Sequence, residues 1–310
     1  LHAAVRKVLA IEAIDTIYVF SSQMAQYLPP TPRQRVIMDF VDMDSAKFAA
    51  YAEASRGPLR WLMKREARLL LAFERKIAAQ ADVSLFVSQA EADLFRDATG
   101  IANVRAIENG IDTDFFDPSQ MFEPIVSNGR LIVFTGQMDY RPNVEAVTRF
   151  AQHVLPIVRR EHRDVQFAIV GRSPSAEVIA LAGLEGVTVT GEVADVRGWL
   201  AAASVVVAPL LLARGVQNKV LEAMAMARPV VASRAAAEGI DHADTIRVGT
   251  TAAELAAEVI AVLDDPREAA VLGHAARLQV QQRYGWDARL APLDALLRVS
   301  PAVLPRTAAA

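Results

Sequence analysis

Hydrophobic residues in the second half of the chain form short apolar runs separated by longer amphipathic stretches. The runs are Leu131–Thr135, Val165–Val170, Val187–Thr190, Ser204–Ala208, Val230–Ala232 and Thr245–Val248. Residues that favour helices occupy most of the gaps between them. Such alternation is typical of an α/β domain, in which helices cover both faces of a parallel sheet and ligands bind at the loops after the strands. The pattern therefore predicts a ligand site at one edge of this sheet.

The first half of the chain contains a similar but less regular series of β-branched and aromatic runs. These runs are Thr16–Phe20, Arg35–Asp42, Val83–Val87 and Val104–Ile107. A long amphipathic helix is predicted from Gly57 to about Ala81, because apolar residues recur there at helical spacing. We therefore expect a second parallel sheet.

Periodicity is lost between Asp117 and Gly129, and we interpret this stretch as the linker between two domains. An amino-terminal Rossmann-like domain would span residues 1–124 and be joined by a final helix at 286–300. A carboxyl-terminal Rossmann-like domain would span residues 125–285.

Composition excludes several classes of protein. The 310 residues carry a net charge of -3 and include no cysteine, which excludes disulfides, thiolate nucleophiles and cysteine-ligated metals. This charge gives no reason to expect nucleic acid as a partner. The loops contain neither Gly-x-Gly-x-x-Gly nor a Walker sequence, which argues against a dinucleotide dehydrogenase or a P-loop enzyme. No apolar run approaches the roughly 20 residues that span a bilayer, so we expect a soluble, cytoplasmic protein.

The strongest candidate for ligand chemistry is the stretch Leu211–Ser233. A loop closes on Gly215, and a helix then begins whose free N–H groups and dipole favour an anion. Lys219 adds a positive charge one turn into the helix, and Glu222 on the same face can accept hydrogen bonds from sugar hydroxyls. These groups suit a nucleoside diphosphate. The alternative is a solvated Lys/Glu pair on an ordinary helix.

Acidic residues stand at the exit of the predicted strand Arg35–Asp42. Asp39 and Asp42 lie where α/β proteins place ligand chemistry, at the carboxyl end of a parallel strand. Asp44 and Ser45 have a simpler use, which is to cap the helix that follows.

The predicted helix from Gly57 is basic as well as amphipathic. Its cations are Arg60, Lys64, Arg65, Arg68, Arg75 and Lys76. Such a helix can contact anionic lipid, or it can pack on its own sheet with a solvated basic side.

Several short motifs together resemble the family 4 retaining glycosyltransferases of the GT-B fold. The motifs are Asn109-Gly110-Ile111-Asp112 with Phe115-Phe116, Gly136 with Arg141-Pro142-Asn143, Val170-Gly171, Val189-Thr190-Gly191 with Asp195-Val196-Arg197, and Asn218-Lys219-Val220-Leu221-Glu222-Ala223-Met224-Ala225 before Pro229-Val230-Val231. Asp42-Met43-Asp44-Ser45-Ala46-Lys47 and Tyr51-Ala52 further resemble the subgroup of sugar transferases associated with PEP-CTERM and exosortase loci.

The resemblance implies roles for individual residues. Arg141 and Lys219 would neutralise the donor diphosphate, Glu222 would hold the ribose, and the loop at Arg172 and backbone around Val193 would contact the base. The other residues assigned to the donor site are Gly136, Arg214, Gly215, Val216 and Asn218. Transfer would proceed with retention, with the departing diphosphate stabilised by those cations, and without a metal or cofactor.

The sequence departs from the family pattern at three places. Arg214 stands where many members have a glutamate that contacts the donor sugar, so it could serve a phosphate or an acidic sugar, or mark a subgroup. Many members place a histidine after the strand that matches Val36–Val41; this chain has Asp39 and Asp42 near the end of that strand instead, and we take these two aspartates as candidate catalytic residues. The chain opens on Leu1 without the strand and glycine-rich loop with which members begin, so we expect a truncated first domain.

We therefore expect a transferase that moves a sugar from a nucleotide-diphosphate sugar to a polysaccharide or lipid-linked acceptor in exopolysaccharide biosynthesis. Peripheral contact with the inner membrane is expected, and no nucleic acid. The alternatives are a nucleotide-sugar-binding module without turnover, and a GT-B epimerase or phosphorylase.

Overall fold

The computed structural model describes residues 1–127, 129–213 and 216–298, which form a mixed α/β structure. Its strands are β1 (Thr16–Phe20), β2 (Arg35–Val41), β3 (Val83–Phe86), β4 (Val104–Ala106), β5 (Leu131–Thr135), β6 (Gln166–Val170), β7 (Val187–Gly191), β8 (Val205–Ala208), β9 (Val230–Ser233) and β10 (Arg247–Gly249). Its α-helices are α1 (His2–Ile11), α2 (Asp44–Ala54), α3 (Gly57–Gln80), α4 (Gln89–Thr99), α5 (Arg141–Arg149), α6 (Leu155–Glu161), α7 (Ala176–Ala180), α8 (Arg197–Ala202), α9 (Asn218–Ala225), α10 (Arg234–Ala237), α11 (Ala252–Asp264), α12 (Pro266–Arg283) and α13 (Trp286–Arg298). Every predicted run overlaps an observed strand.

The chain divides into two compact units. The first contains Leu1–Asn109 and the described part of the chain from Arg289 onward, and the second contains Gly110–Ala288. The division falls inside α13, whose chain therefore belongs partly to each unit.

The first unit contains a parallel sheet in the order β1-β2-β3-β4. Its aromatic core includes Phe40, Phe86 and Phe95, and the ring centroids of Phe86 and Phe95 lie 4.8 Å apart. At the carboxyl end of β2 the register shifts between Asp39 and Val41, and Val41 adopts a left-handed φ of 71°. This conformation is rare for a β-branched residue, so the exit of β2 is a strained turn.

The end of α13 completes the first unit. Leu296 is buried against Ile37, Val83 and Leu85, and its carbonyl oxygen accepts a hydrogen bond from the buried guanidinium of Arg35. The final helix is thus fixed to the sheet by an apolar contact and by a polar one.

Ser45 does not cap α2 as the sequence predicts. Met43 occupies the N-cap position, while the Ser45 side chain is buried and donates to Glu74 Oε2 at 2.5 Å. The Glu74 carboxylate is itself buried in the last third of α3, and burial raises its pKa. A tertiary hydrogen bond to α3 therefore replaces the local cap.

The second unit contains a parallel sheet in the order β10-β9-β8-β5-β6-β7. The chain builds outward from β5 to β7 and then returns to add β8 on the other side of β5. The strand order therefore reverses between β5 and β8. The carboxyl ends of strands at such a reversal form a crevice in which open α/β sheets bind their ligands.

Helix α9 packs on this sheet through one apolar face. Val220, Leu221 and Met224 are buried, whereas Lys219 and Glu222 on the same helix are only half-buried. Packing of the apolar face fixes how far α9 can rotate, so these two polar residues are held at the edge of the core.

The stretch predicted as a linker packs on the second unit instead, and the division between units falls earlier, between Asn109 and Gly110. Just ahead of this stretch, the N–H of Ile111 donates to the carbonyl oxygen of Tyr284, which follows α12, at 2.7 Å. Asp117 forms an ion pair of 2.9 Å with Arg277 of the same helix. These contacts join distant parts of the chain and hold an aperiodic segment in place, which local periodicity does not reveal.

Candidate functional site

A cleft of about 520 Å³ opens at the carboxyl ends of β5 and β6. It is lined by Thr135, Gly136, Gln137, Asn143, Val170, Gly171, Arg172, Glu192, Val193, Val196, Val216, Gln217, Asn218, Lys219 and Glu222. The cleft thus lies beside the reversal of strand order, and the beginning of α9 forms one of its walls.

The floor of the cleft is backbone, because two glycines meet there. A Cβ at Gly171 would overlap the carbonyl oxygen of Gly136, and the Gly136 N–H donates to the Val170 carbonyl oxygen at 3.0 Å. A Cβ at Gly136 would lie 2.8 Å from Asn143 Nδ2 and 3.3 Å from Lys219 Nζ. Glycine at both positions leaves room for the Lys219 amine and for a ligand to approach the main chain.

Lys219 is held in place by Asn143. Its Nζ donates to Asn143 Oδ1 at 2.5 Å and lies 4.4 Å from the centre of the Phe134 ring. Asn143 is buried, and its Nδ2 donates to the carbonyl oxygen of Gln137 at 2.9 Å. Because the amide bonds the lysine on one side and the main chain on the other, it fixes the position of the ammonium group.

Burial is the main influence on the pKa values of Lys219 and Glu222, the two charged residues of α9. It lowers the pKa of Lys219 to about 8, and the nearby Glu222 carboxylate opposes the shift. Burial likewise raises the pKa of Glu222, against the influence of Lys219. Among the described residues, Lys219 and Glu222 do not form a direct ion pair with each other. An anion that entered the cleft would therefore stabilise an ammonium that is poorly solvated.

The two arginines assigned to the donor site lie in different surroundings. Arg172 lines the cleft, where its Nη2 donates to Gln137 Oε1 at 3.0 Å. Arg141 is the first residue of α5, is largely exposed, and is paired with Glu145 at 2.7 Å. It is absent from the cleft lining, so the structure does not bring it together with Lys219.

Of the other residues assigned to the donor site, Gly136, Val193, Val216 and Asn218 line the cleft. Arg214 and Gly215 lie outside the described residues.

Asp39 and Asp42 belong to the first unit and are bound to partners within it. Asp39 Oδ2 accepts from the Tyr18 hydroxyl at 2.5 Å, and Asp39 Oδ1 accepts from the N–H of Val41 at 3.0 Å. Asp42 forms an ion pair of 2.8 Å with Lys47. Asp39 therefore holds the strained turn at Val41, and Asp42 pairs with a lysine on the helix that follows.

Sequence reasoning gave no role to Asn143, Gln137 or Glu192, although all three line the cleft. Asn143 belongs to the same motif as Arg141, Arg141-Pro142-Asn143. Of these two polar residues, Asn143 is buried and Arg141 is exposed. An available signal was the spacing, since Pro142 in the first turn fixes the start of α5 and places Asn143 on the opposite side from residue 141.

The described residues contain neither a candidate metal centre nor a candidate membrane span. No cluster of three or more histidine, aspartate or glutamate side chains is arranged to hold a metal ion. None of the helices in the part of the chain that the structure describes is both long and apolar enough to cross a bilayer.

Comparison with known proteins gives a family match for part of the chain and a fold for nearly all of it. Residues 129–265 match the family described as "Glycosyl transferases group 1". The fold is that of the GT-B glycosyltransferases: sucrose-phosphate synthase from Thermosynechococcus elongatus aligns over 96% of this chain and 76% of its own, with 20% identity and a TM-score of 0.63.

More particular similarities concern two further proteins. A curated relative from Mycolicibacterium smegmatis, a GDP-mannose-dependent alpha-(1-6)-phosphatidylinositol monomannoside mannosyltransferase, is 30% identical over 261 residues. The aligned region is 76% of this chain and 66% of the relative, just under two thirds of its length. Anabaena Alr3699/HepE, solved in complex with UDP and glucose, aligns over 96% of this chain and 81% of its own, with 17% identity and a TM-score of 0.63.

Proposed function

We propose that this protein is a retaining glycosyltransferase of family 4, which transfers a sugar from a nucleotide-diphosphate sugar to a saccharide or lipid-linked acceptor. The observation that carries the proposal is the half-buried Lys219 ammonium, held by Asn143 over a backbone floor at the carboxyl ends of β5 and β6. The family match and the mannosyltransferase similarity support the reaction class.

The donor diphosphate is proposed to bind on the cleft side of Lys219, against the ammonium and the main chain near Gly136 and Gly171. Its negative charge would replace the solvation that burial removes from the ammonium, and the free N–H groups at the start of α9 would bind phosphate oxygens. Arg214 and Gly215 precede α9 in the sequence and are proposed to contact the same end of the donor.

The nucleoside is proposed to extend from Lys219 towards Glu222. The Glu222 carboxylate lines the cleft and can accept hydrogen bonds from the two ribose hydroxyls. The base would then lie against Arg172 and the backbone around Val193, which line the same cleft. In this arrangement the ribose hydroxyls are the hydrogen-bond donors and the Glu222 carboxylate is the acceptor.

The cations of the second unit are proposed to assist departure of the nucleoside diphosphate. Negative charge grows on the diphosphate as its bond to the sugar breaks, and a fixed ammonium stabilises that charge without reorganisation. Arg141 would supply a second cation by exchanging its partner Glu145 for phosphate. An exposed ion pair of this kind contributes little to stability, so the exchange costs little. Asp39 and Asp42 are proposed to act on the acceptor side, and no metal is assigned to the reaction.

The acceptor is proposed to be a growing polysaccharide or a lipid-linked sugar at the inner face of the cytoplasmic membrane, in exopolysaccharide biosynthesis of the PEP-CTERM type. The first turns of α3 expose Leu59, Trp61 and Leu62 beside Arg60 and Lys64. Apolar side chains flanked by cations match an anionic bilayer surface. The acceptor in the name of the Mycolicibacterium smegmatis relative, phosphatidylinositol monomannoside, is also a lipid.

Donor binding can be tested by thermal shift with GDP, UDP, GDP-mannose and UDP-glucose. We expect at least one nucleotide to raise the melting temperature of the wild-type chain and of Lys76→Ala, an exposed lysine outside the cleft. Lys219→Ala should abolish the shift while leaving the melting temperature without ligand nearly unchanged. A shift that survives in Lys219→Ala would place the diphosphate elsewhere.

Turnover distinguishes the proposed transferase from its alternatives. Donor consumption that requires a mannosylated or glucosylated lipid acceptor, with the anomeric configuration of the donor kept in the product, would support the proposal. Donor binding without any consumption would instead indicate a binding module. Consumption without an acceptor would indicate an epimerase.

A further inference from the structure

A second cavity lies in the second unit at the opposite edge of its sheet. It has a volume of about 350 Å³ and is lined by residues that directly precede β5, β8 and β9. Its remaining lining comes from Pro118, the end of α11 and the first half of α12, with Val262, Leu263, Pro266, Ala269, Ala270 and His274. We call it the basal cavity. Because the donor cleft lies at the carboxyl ends of the strands and the basal cavity at their amino ends, the two are separate sites.

The distinctive group in the basal cavity is Arg228. Its side chain is half-buried, and its Nε is sealed from solvent without a hydrogen-bond acceptor among the described residues. One Nη donates to the carbonyl oxygen of Ala203 at 3.5 Å, which is the outer limit for a hydrogen bond. Burial is the one cause that lowers its pKa, with no carboxylate of the described chain opposing it. Arg228 is therefore a partly desolvated cation without a counter-charge.

The other charged groups around the cavity do not supply that counter-charge. None of the residues that line it is acidic. The guanidinium of Arg130 also lines it, but it is bonded to His162 at 2.8 Å and paired with Asp164 at 3.0 Å. The electrostatic balance of the basal cavity is therefore positive, and Arg228 causes the excess.

A purely structural role accounts for only part of this arrangement. Arg228 follows the carboxyl end of α9, where the helix dipole provides about half a negative charge. The carbonyl oxygen of Ala225 in the last turn of that helix is already bound by Arg277. A buried cation without a full counter-charge is costly, and the usual remedy is a paired anion.

We propose that the basal cavity binds a small organic carboxylate, whose apolar body packs on α11 and α12 and whose carboxylate pairs with the Nη groups of Arg228. A monoanion matches the single unbalanced guanidinium, and a planar carboxylate matches its fork of donors. The apolar wall favours a ligand with a hydrocarbon or aromatic body over a fully hydrated ion such as phosphate. This inference does not rest on the proposed transferase function.

The test uses sodium benzoate as the probe, with benzyl alcohol as its neutral analogue and inorganic phosphate as the hydrated anion, all at constant ionic strength. Saturation-transfer NMR titration of the 310-residue chain should show binding of benzoate and weaker binding of the other two compounds. Arg228→Gln should weaken benzoate binding by roughly tenfold or more, because a hydrogen bond to a charged group is lost. Arg267→Gln, which removes an exposed arginine at the start of α12, should leave it unchanged.

A second variant keeps the test decisive if Arg228→Gln fails to fold. Ala270→Phe places a large side chain at the cavity wall while retaining Arg228, and it should also abolish benzoate binding. Lys219→Ala should bind benzoate like the wild type, because it alters only the donor cleft. The proposal is overturned if benzoate binds equally to the wild type and to either cavity variant, or if phosphate binds more tightly than benzoate.

Discussion

Lys219 Nζ lies 2.5 Å from Asn143 Oδ1, and this contact joins the beginnings of α9 and α5 across the carboxyl end of β5. Neither residue alone makes an anion site. The lysine provides the charge, whereas the buried asparagine fixes where that charge stands and is anchored by the carbonyl oxygen of Gln137. The candidate diphosphate site is therefore a product of two helices that follow different strands.

Asn143→Ala should weaken binding of the nucleoside diphosphate although the lysine is retained. Loss of the amide removes the hydrogen bond that orients the ammonium, and a hydrogen bond to a charged group contributes about 1.5–3 kcal/mol. Isothermal titration calorimetry with the nucleotide that stabilises the wild type measures the change. Asn103→Ala, an exposed asparagine of the first unit, is the matched control. Equal affinities for Asn143→Ala and wild type would show that Asn143 does not position the lysine.

Nucleotide affinity should fall as the pH rises through about 8. In the protein without ligand, the pKa of Lys219 is lowered to about 8. Below that pH the site already carries its ammonium, whereas above it a proton must be taken up when the nucleotide binds. The bound diphosphate raises the pKa, so the affinity declines by up to about tenfold per pH unit between the pKa values of the free and bound states.

The control for this pH dependence is Lys219→Arg, because a guanidinium stays charged throughout the range. Calorimetry from pH 6.5 to 9.5 should show a decline for the wild type and a flat profile for the variant. A decline of the same size in both proteins would assign the titration to another group.

The strands could be predicted because most are short apolar runs rich in β-branched residues, and such runs can be recognised without tertiary information. Strands β3, β5, β8 and β9 are buried along their whole length, whereas β1, β4, β7 and β10 are partly exposed. The cleft could be predicted in part for the same reason: Gly136, Arg172, Lys219 and Glu222 all follow strands of one parallel sheet. The position of Arg141 could not be predicted in the same way, since its side chain is paired on the surface with Glu145 and does not line the cleft.

The remaining misjudgements involve contacts between residues that are distant in sequence. Asp117 is held by Arg277 and Ser45 by Glu74, and neither partner can be identified from local periodicity. In each case a polar side chain exchanges a local role, as part of a linker or as a helix cap, for a hydrogen bond to another element. Predictions of helix caps and linkers from local sequence fail at such positions. Predictions of strands and helices from the spacing of apolar residues do not depend on these contacts.

Glu222→Ala should remove the protein's ability to discriminate between a nucleotide and its 2′,3′-dideoxy analogue. If the carboxylate accepts hydrogen bonds from the ribose hydroxyls, the wild type should prefer the natural nucleotide by about 1.5–3 kcal/mol and the variant should not. Binding of both nucleotides to both proteins gives a double-mutant cycle with the ligand as one partner. A preference that is unchanged in Glu222→Ala would remove the ribose role of this residue.

Leu296→Ala should destabilise the first unit, whereas Leu297→Ala should not. Leu296 is 5% exposed and packs with Ile37, Val83 and Leu85, while its neighbour Leu297 is 44% exposed. Truncation of a buried leucine costs about 2–5 kcal/mol, because apolar surface is lost and a cavity remains. Both variants replace leucine by alanine in the same helix, so the change in helix propensity is the same in each. The difference between their free energies of unfolding therefore reports the effect of burial. Urea unfolding of both variants measures it, and equal losses of stability would show that the end of α13 is not fixed to the first sheet.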